Sequence, residues 1–92
     1  MFWYTTPTNT VTWRPKALKQ LKKLGDKVVE GRILAVTAAL SAFPDMANVK
    51  ALTGHEYGYR LRVGNYRVFF NALAAISIVR IEEVEKRDER TY

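Results

Sequence analysis

Cysteine is absent, and histidine occurs once, at position 55. Without thiols there is no disulfide framework, no thiolate metal site and no thiolate nucleophile. A single imidazole is too few for a histidine-based metal centre, and no cofactor is expected. No apolar run approaches the roughly 20 residues of a membrane span. The opening Met1-Phe2-Trp3-Tyr4 lacks the basic flank and long apolar core of a secretion signal, so a cytoplasmic protein is the expectation. Acid is scarce: nine Asp and Glu stand against 15 Lys and Arg, a formal net charge of +6. None of the acids lies between Gly58 and Ile81, and Glu82, Glu83, Glu85, Asp88 and Glu89 crowd the end of the chain. Such a surplus favours nucleic acid, an acidic protein or an anionic membrane surface as partner.

What is present suits one small domain. The chain has 92 residues, of which 48% are hydrophobic, enough for a thin core and too many for a disordered tail. Residues 1–92 read as a single domain, with residues 1–10 as an arm or loose first strand. Val11 to Trp13 is a short extended segment. Pro15 suits the first position of a helix, and Leu18, Leu21 and Leu24 follow at helical spacing. Lys16, Lys19, Lys22, Lys23 and Lys27 form a cluster here, read as a solvated face, with a grip on a nucleic-acid backbone as the second reading. Gly25 closes this helix and Asp26 caps the next. Val29, Ile33, Val36, Leu40 and Phe43 make one apolar stripe to about Ala42, and Pro44 ends it. Residues 44–56 read as a loop, Ala72 to Ala74 as a turn, Ile76 to Ile81 as a last, central strand, and Glu82 to Tyr92 as a charged tail. The fold class is α+β: two N-terminal helices packed on one face of a small antiparallel sheet, in the order β-α-α-β-β-β.

The segment from Tyr57 to Phe70 alternates apolar and polar residues on both sides of Gly64-Asn65, the pattern of a hairpin with a two-residue turn. That register pairs Val63 with Tyr66, Arg62 with Arg67 and Leu61 with Val68. Tyr59, Leu61, Val63, Tyr66, Val68 and Phe70 then meet the helices. Arg60, Arg62 and Arg67 share the opposite face, with Arg60 beside Phe69. Like charges directly opposite on a sheet are destabilising, so three neighbouring arginines without nearby acid point to an anion. Phosphate fits the planar guanidinium fork. Arg80 belongs to the same cluster in sequence. His55 beside Glu56 offers a conceivable acid–base pair, but a lone histidine in a glycine-flanked loop reads as ordinary surface. Glu82, Glu83 and Glu85 do not converge on a strand and read as solvated. The run from Lys86 to Tyr92 reads as a frayed end.

Beyond these patterns there is a family resemblance. Trp13 to Leu24 resembles the first strand and helix of RelE/ParE-superfamily toxins of bacterial toxin–antitoxin pairs. Leu52-Thr53-Gly54 with Tyr59 to Arg67 resembles that superfamily's central signature, and Val84-Glu85-Lys86-Arg87 with Tyr92 resembles the RelE-type ending. The resemblance covers about residues 11 to 92. It implies the RelE fold and a metal-independent, ribosome-dependent endoribonuclease, an mRNA interferase that cuts mRNA in the ribosomal A site, arrests translation and growth, and is held by a cognate antitoxin, with operator DNA as a further partner through the toxin–antitoxin complex. By position it implies Arg60 and Arg62 as paired basic residues, Arg67 on the phosphate, Arg87 as general acid or charge stabiliser, and Tyr92 as substrate-orienting ring. The RelE pattern has lysines where this chain has Arg60 and Arg62, and arginine keeps its proton at ordinary pH. Either another group takes the proton or catalysis rests on positioning and charge. The alternatives are a ParE-like inhibitor of DNA gyrase without nuclease activity, or a degenerate toxin retained for antitoxin binding.

Overall fold

The computed structural model describes residues 9–86. Five strands form one sheet in the order β1-β5-β4-β3-β2: β1 Thr10–Trp13, β2 Val49–Ala51, β3 Tyr59–Val63, β4 Tyr66–Leu73 and β5 Ile78–Lys86. Two helices, α1 Pro15–Lys23 and α2 Lys27–Ala38, precede β2, and a 3₁₀ turn at Ala39–Ala42 extends α2. The second helical segment therefore ends where the stripe predicts, with a tightened last turn.

Each helix start has a local cause. Pro15 occupies the first turn of α1. The Asp26 carboxylate accepts from the N–H groups of Val28 and Val29 at 3.0 and 3.2 Å, capping α2. Gly25 bridges the helices at φ +71°, a conformation that costs other residues. The buried seam of α1 is Ala17 and Leu21, with Leu24 just past its end partly buried, and Leu18 of the expected stripe stays 38% exposed. From α2 and its extension, Ile33 and Leu40 enter the core, flanked by Val29, Val36 and Phe43. They pack against Leu61, Val63, Val68, Phe70, Val79, Ile81 and Val84. Phe70 is fully buried, with Phe43 edge-on at 5.3 Å and Tyr59 stacked at 5.4 Å. Burying each large apolar side chain contributes about 1.5–3 kcal/mol, so this single layer accounts for the fold's cohesion.

The sheet corrects the sequence reading in four places. It is mixed rather than antiparallel, because β1 runs parallel to β5. The stretch read as a loop contains β2, which pairs with β3 through Lys50 and Arg60. It is only three residues long, and its mixed pattern gave no period to detect. The turn before β5 lies later than Ala72–Ala74: β4 continues to Leu73, a 3₁₀ turn follows at Ala74–Ile76, and Ser77 takes a left-handed conformation at φ +53°. Finally, β5 continues through Glu82 to Lys86 rather than giving way to a tail.

That last miss has an identifiable reason. Val79 and Ile81 are buried, and the next core residue is Val84, a step of three that breaks period-two alternation. A β-bulge absorbs it: Phe69 lies opposite Glu83 and Phe70 opposite Ile81, leaving Glu82 as the extra residue. Beyond Ile81 the β1 strand departs, and α1 covers the vacated edge. There the Gln20 side-chain oxygen accepts from the Val84 N–H at 2.7 Å, so the exposed ladder group is satisfied and the edge is blunted.

Candidate functional site

The hairpin has the register expected from its alternation, Tyr59 opposite Phe70, Arg62 opposite Arg67 and Val63 opposite Tyr66. Gly64 has φ +56°, whereas Asn65 is not among the residues with positive φ, the combination a type II′ turn requires. Arg60, Arg62 and Arg67 consequently stand together on the face away from the helices. With Gly64 and Tyr66 they line a shallow recess of about 210 Å³. That is smaller than the pockets of drug-sized ligands, about 300–1,000 Å³, and its lining is mostly guanidinium.

Strand pairing organises this face into two cross-sheet rows. One runs Lys50, Arg60, Phe69, Glu83; the other runs Arg62, Arg67, Glu85. Both pass from basic on the β2–β3 side to acidic on β5. The expectation of no nearby acid is therefore wrong. Arg67 Nη1 lies 3.5 Å from a Glu85 carboxylate oxygen, with both side chains substantially exposed. A pair of that kind contributes at most about 1 kcal/mol and leaves Arg60 and Arg62 with the same sign. Lys50 joins the basic half, a residue that sequence reading missed because β2 was not recognised.

Arg80 does not join this cluster. It and Arg14 grip Glu82, with Arg80 Nε at 2.6 Å and Arg14 Nε at 3.2 Å from the carboxylate. Asn71 Nδ2 donates to the same carboxylate at 3.1 Å. Glu82 is 6% exposed, so its reading as a solvated residue is corrected: it lies at the bulge beneath Arg14, Arg80 and Asn71, as an ion-pair centre. Burial alone would raise its carboxyl pKa, but the hydrogen bonds from Arg80, Asn71 and Arg14 hold it below the usual carboxylate value. Glu83 is held by Lys16 at 3.7 Å and by Gln20. These carboxylates each meet a cation rather than one another.

The loop before β3 folds onto the same face. Leu52 N–H donates to Gly58 O at 2.8 Å, closing the loop, and Gly58 N–H donates to Asn71 Oδ1 at 2.8 Å, tying it to β4. His55 lies flat on Phe69, ring centroids 5.1 Å apart with 12° between planes. Its Nδ1 accepts from the Tyr57 N–H at 3.0 Å, so the imidazole contacts Tyr57 and Phe69 rather than forming the imagined pair with Glu56. The Tyr57 hydroxyl is pushed up to about 12, by burial first, then by its hydrogen bond to Glu83 and by the charges of Glu83, Glu56 and Glu82. Arg87 and Tyr92 lie outside the described residues.

A family model described as the ParE toxin of the type II toxin–antitoxin system parDE matches residues 11–89. The chain belongs to the RelE/ParE superfamily of toxins. Solved structures resemble this toxin under RelE names. The archaeal RelE–RelB complex from Pyrococcus horikoshii is 26% identical, with 91% of this chain and 99% of that chain covered and a TM-score of 0.74. The Mycobacterium tuberculosis RelBE2 toxin–antitoxin complex is 24% identical, covers 87% and 99%, and also has a TM-score of 0.74. The isolated E. coli RelE toxin is 18% identical, covers 88% and 86%, and has a TM-score of 0.72; at these last two identities the likeness is one of fold. No curated protein matches the sequence. The matched residues of the toxin include Arg60, Arg62, Arg67 and Arg87 but stop short of Tyr92. Among the described residues no helix is long and apolar enough to cross a membrane.

Proposed function

We propose that this toxin is a ribosome-dependent mRNA endoribonuclease of the RelE kind, cutting without a metal and inhibiting translation. The observation carrying this reading is the arginine recess on the open sheet face, flanked on one side by a carboxylate. Cleavage by the ribose 2′-hydroxyl requires a proton acceptor for that hydroxyl, charge to steady the phosphorane and a donor for the leaving oxygen. Arg60, Arg62 and Arg67 supply the charge, with guanidinium forks suited to phosphate oxygens.

The acceptor is a different group. His55 is a poor one, because its Nδ1 already accepts from Tyr57, which leaves the proton on Nε2. Glu85 fits the role: it stands one strand from Arg67 on the phosphate-binding row. A phosphate over Arg62 and Arg67 brings the neighbouring ribose toward β5 and its carboxylate. In this reading Arg87 donates to the leaving oxygen or stabilises charge, and Tyr92 orients the substrate.

The partner in this reading is a cognate antitoxin with acidic residues where it covers the arginines. The solved relatives from P. horikoshii and M. tuberculosis are toxin–antitoxin complexes. The ParE family match favours a second reading, a gyrase inhibitor without nuclease activity. The test is induction in cells: an Arg62→Ala, Arg67→Ala double variant that folds should lose growth arrest. Undiminished arrest by the folded double variant rejects the site. Glu85→Gln should lower cleavage by roughly 10²–10⁴-fold, the usual weight of general base catalysis, while costing under about 1 kcal/mol of stability.

A further inference from the structure

The basic recess has an aromatic neighbour that an anion site alone does not explain. Phe69 lies opposite Arg60 across β3 and β4, on the face where the alternation places charged residues. It is only 6% exposed, yet it stands outside the main core cluster. What covers it is the 52–58 loop, with His55 stacked on one face and Tyr57 tilted beside it at 5.9 Å. His55 itself is exposed: its ring stacks on Phe69 and has Tyr57 tilted beside it at 5.8 Å, and the rest of the imidazole reaches solvent. The orientation is fixed. The Tyr57 N–H holds Nδ1 at 3.0 Å, and the loop is closed at Leu52–Gly58 and tied to Asn71. Directly opposite residues on neighbouring strands stand about 4.5–5.5 Å apart at Cβ. Phe69, which carries the stacked His55 ring, therefore lies next to Arg60, whose side chain lines the recess. A single-stranded nucleotide presents the same two chemistries side by side, an anionic phosphate and a π-faced base.

We propose that the outward face of His55, backed by Phe69 and Tyr57, is a base-stacking subsite on the Arg60 side of the recess, for a nucleotide next to the phosphate held over Arg62 and Arg67. The proposal rests on the nucleic-acid reading above and adds a contact that charge does not provide. The pinned tautomer also turns Nε2–H outward as a donor at the ring's open edge. Stacking tolerates any base, because every base has a π-face. His55 thus adds affinity for a base without selecting among sequences.

The test uses a 2′-O-methyl trinucleotide, which lacks the attacking hydroxyl, and the same molecule with its central base removed. Binding of each to the isolated toxin is measured by calorimetry. The wild type should bind the intact oligonucleotide roughly tenfold tighter than the abasic one. His55→Ala should erase that difference without weakening abasic binding, and His55→Phe should restore it. A His55→Ala variant that keeps the full base dependence, or a wild type without any, overturns the proposal. A variant that weakens on both oligonucleotides equally marks His55 as a cover for Phe69 and also overturns it. The Arg62→Ala, Arg67→Ala variant reports separately on the parent reading: equal loss on both oligonucleotides supports phosphate binding, and wild-type affinity rejects it whatever His55 does. Binding of neither oligonucleotide by the wild type overturns the stacking proposal, while the parent reading, which requires the ribosome, is decided by the induction test.

Discussion

Replacing Glu82 by Gln keeps its shape and removes the charge that Arg14, Arg80 and Asn71 converge upon. Both guanidinia are partly solvated, so the expected cost is about 2 kcal/mol, the range of a hydrogen bond to a charged group, rather than the larger penalty of a stranded buried charge. Chemical denaturation measures it directly. The sign of the pH dependence follows from the lowered carboxyl. The folded state favours the ionised form, so its contribution is present above the ordinary value of 4.5 and is lost as pH falls through the lower folded value. The wild type should lose stability in acid more steeply than Glu82→Gln. Tyr57 behaves in the opposite sense. The fold favours its protonated form, so that contribution is present below pH 10 and is lost as pH rises toward about 12. In alkali, Tyr57→Phe should flatten the loss of stability that the wild type shows between those values, as followed by circular dichroism.

At the scale of elements, the 52–58 loop determines whether the sheet face is an organised surface. Gly58 approaches Asn71 so closely that an added methyl would sit 3.2 Å from Asn71 Oδ1, the atom that accepts the Gly58 N–H. Gly58→Ala should loosen that tie at a cost of about 1 kcal/mol and speed amide exchange at Leu52 and Gly58 without disturbing the core. The hairpin beside this loop was legible in the sequence because both strands alternate cleanly and Gly64-Asn65 permits only a tight turn. Both helices were legible from Pro15, Asp26 and the apolar stripe. The short β2 was not, since three residues carry no period. The end of β5 was misread because the bulge shifts the core phase from Ile81 to Val84, which makes Glu82-Glu83 look like the start of a polar tail. The same shift concealed the buried role of Glu82. The arginine triad was legible for the reason that the hairpin was. Lys50 and Glu85, which complete its charge pattern, come from those two unread strands.

Over the whole molecule, one sheet face is given to packing and the other to charge. Helices α1 and α2 cover the first, and the second carries Lys50, Arg60, Arg62 and Arg67 on one side with Glu83 and Glu85 on the other. A net charge of +6 adds long-range attraction to a polyanion, steep in ionic strength, while the short-range rows orient the chain that arrives. In the proposed nuclease reading the arginine recess holds phosphate and the neighbouring carboxylate takes the proton, whereas the gyrase-directed alternative requires no proton acceptor. The most direct test is to map mRNA 5′ ends after brief induction of the wild type and of the Arg62→Ala, Arg67→Ala variant. New ends in phase with codons, present for the wild type and absent for the variant, are the expected result. Unchanged mRNA ends accompanied by gyrase–DNA adducts would contradict it.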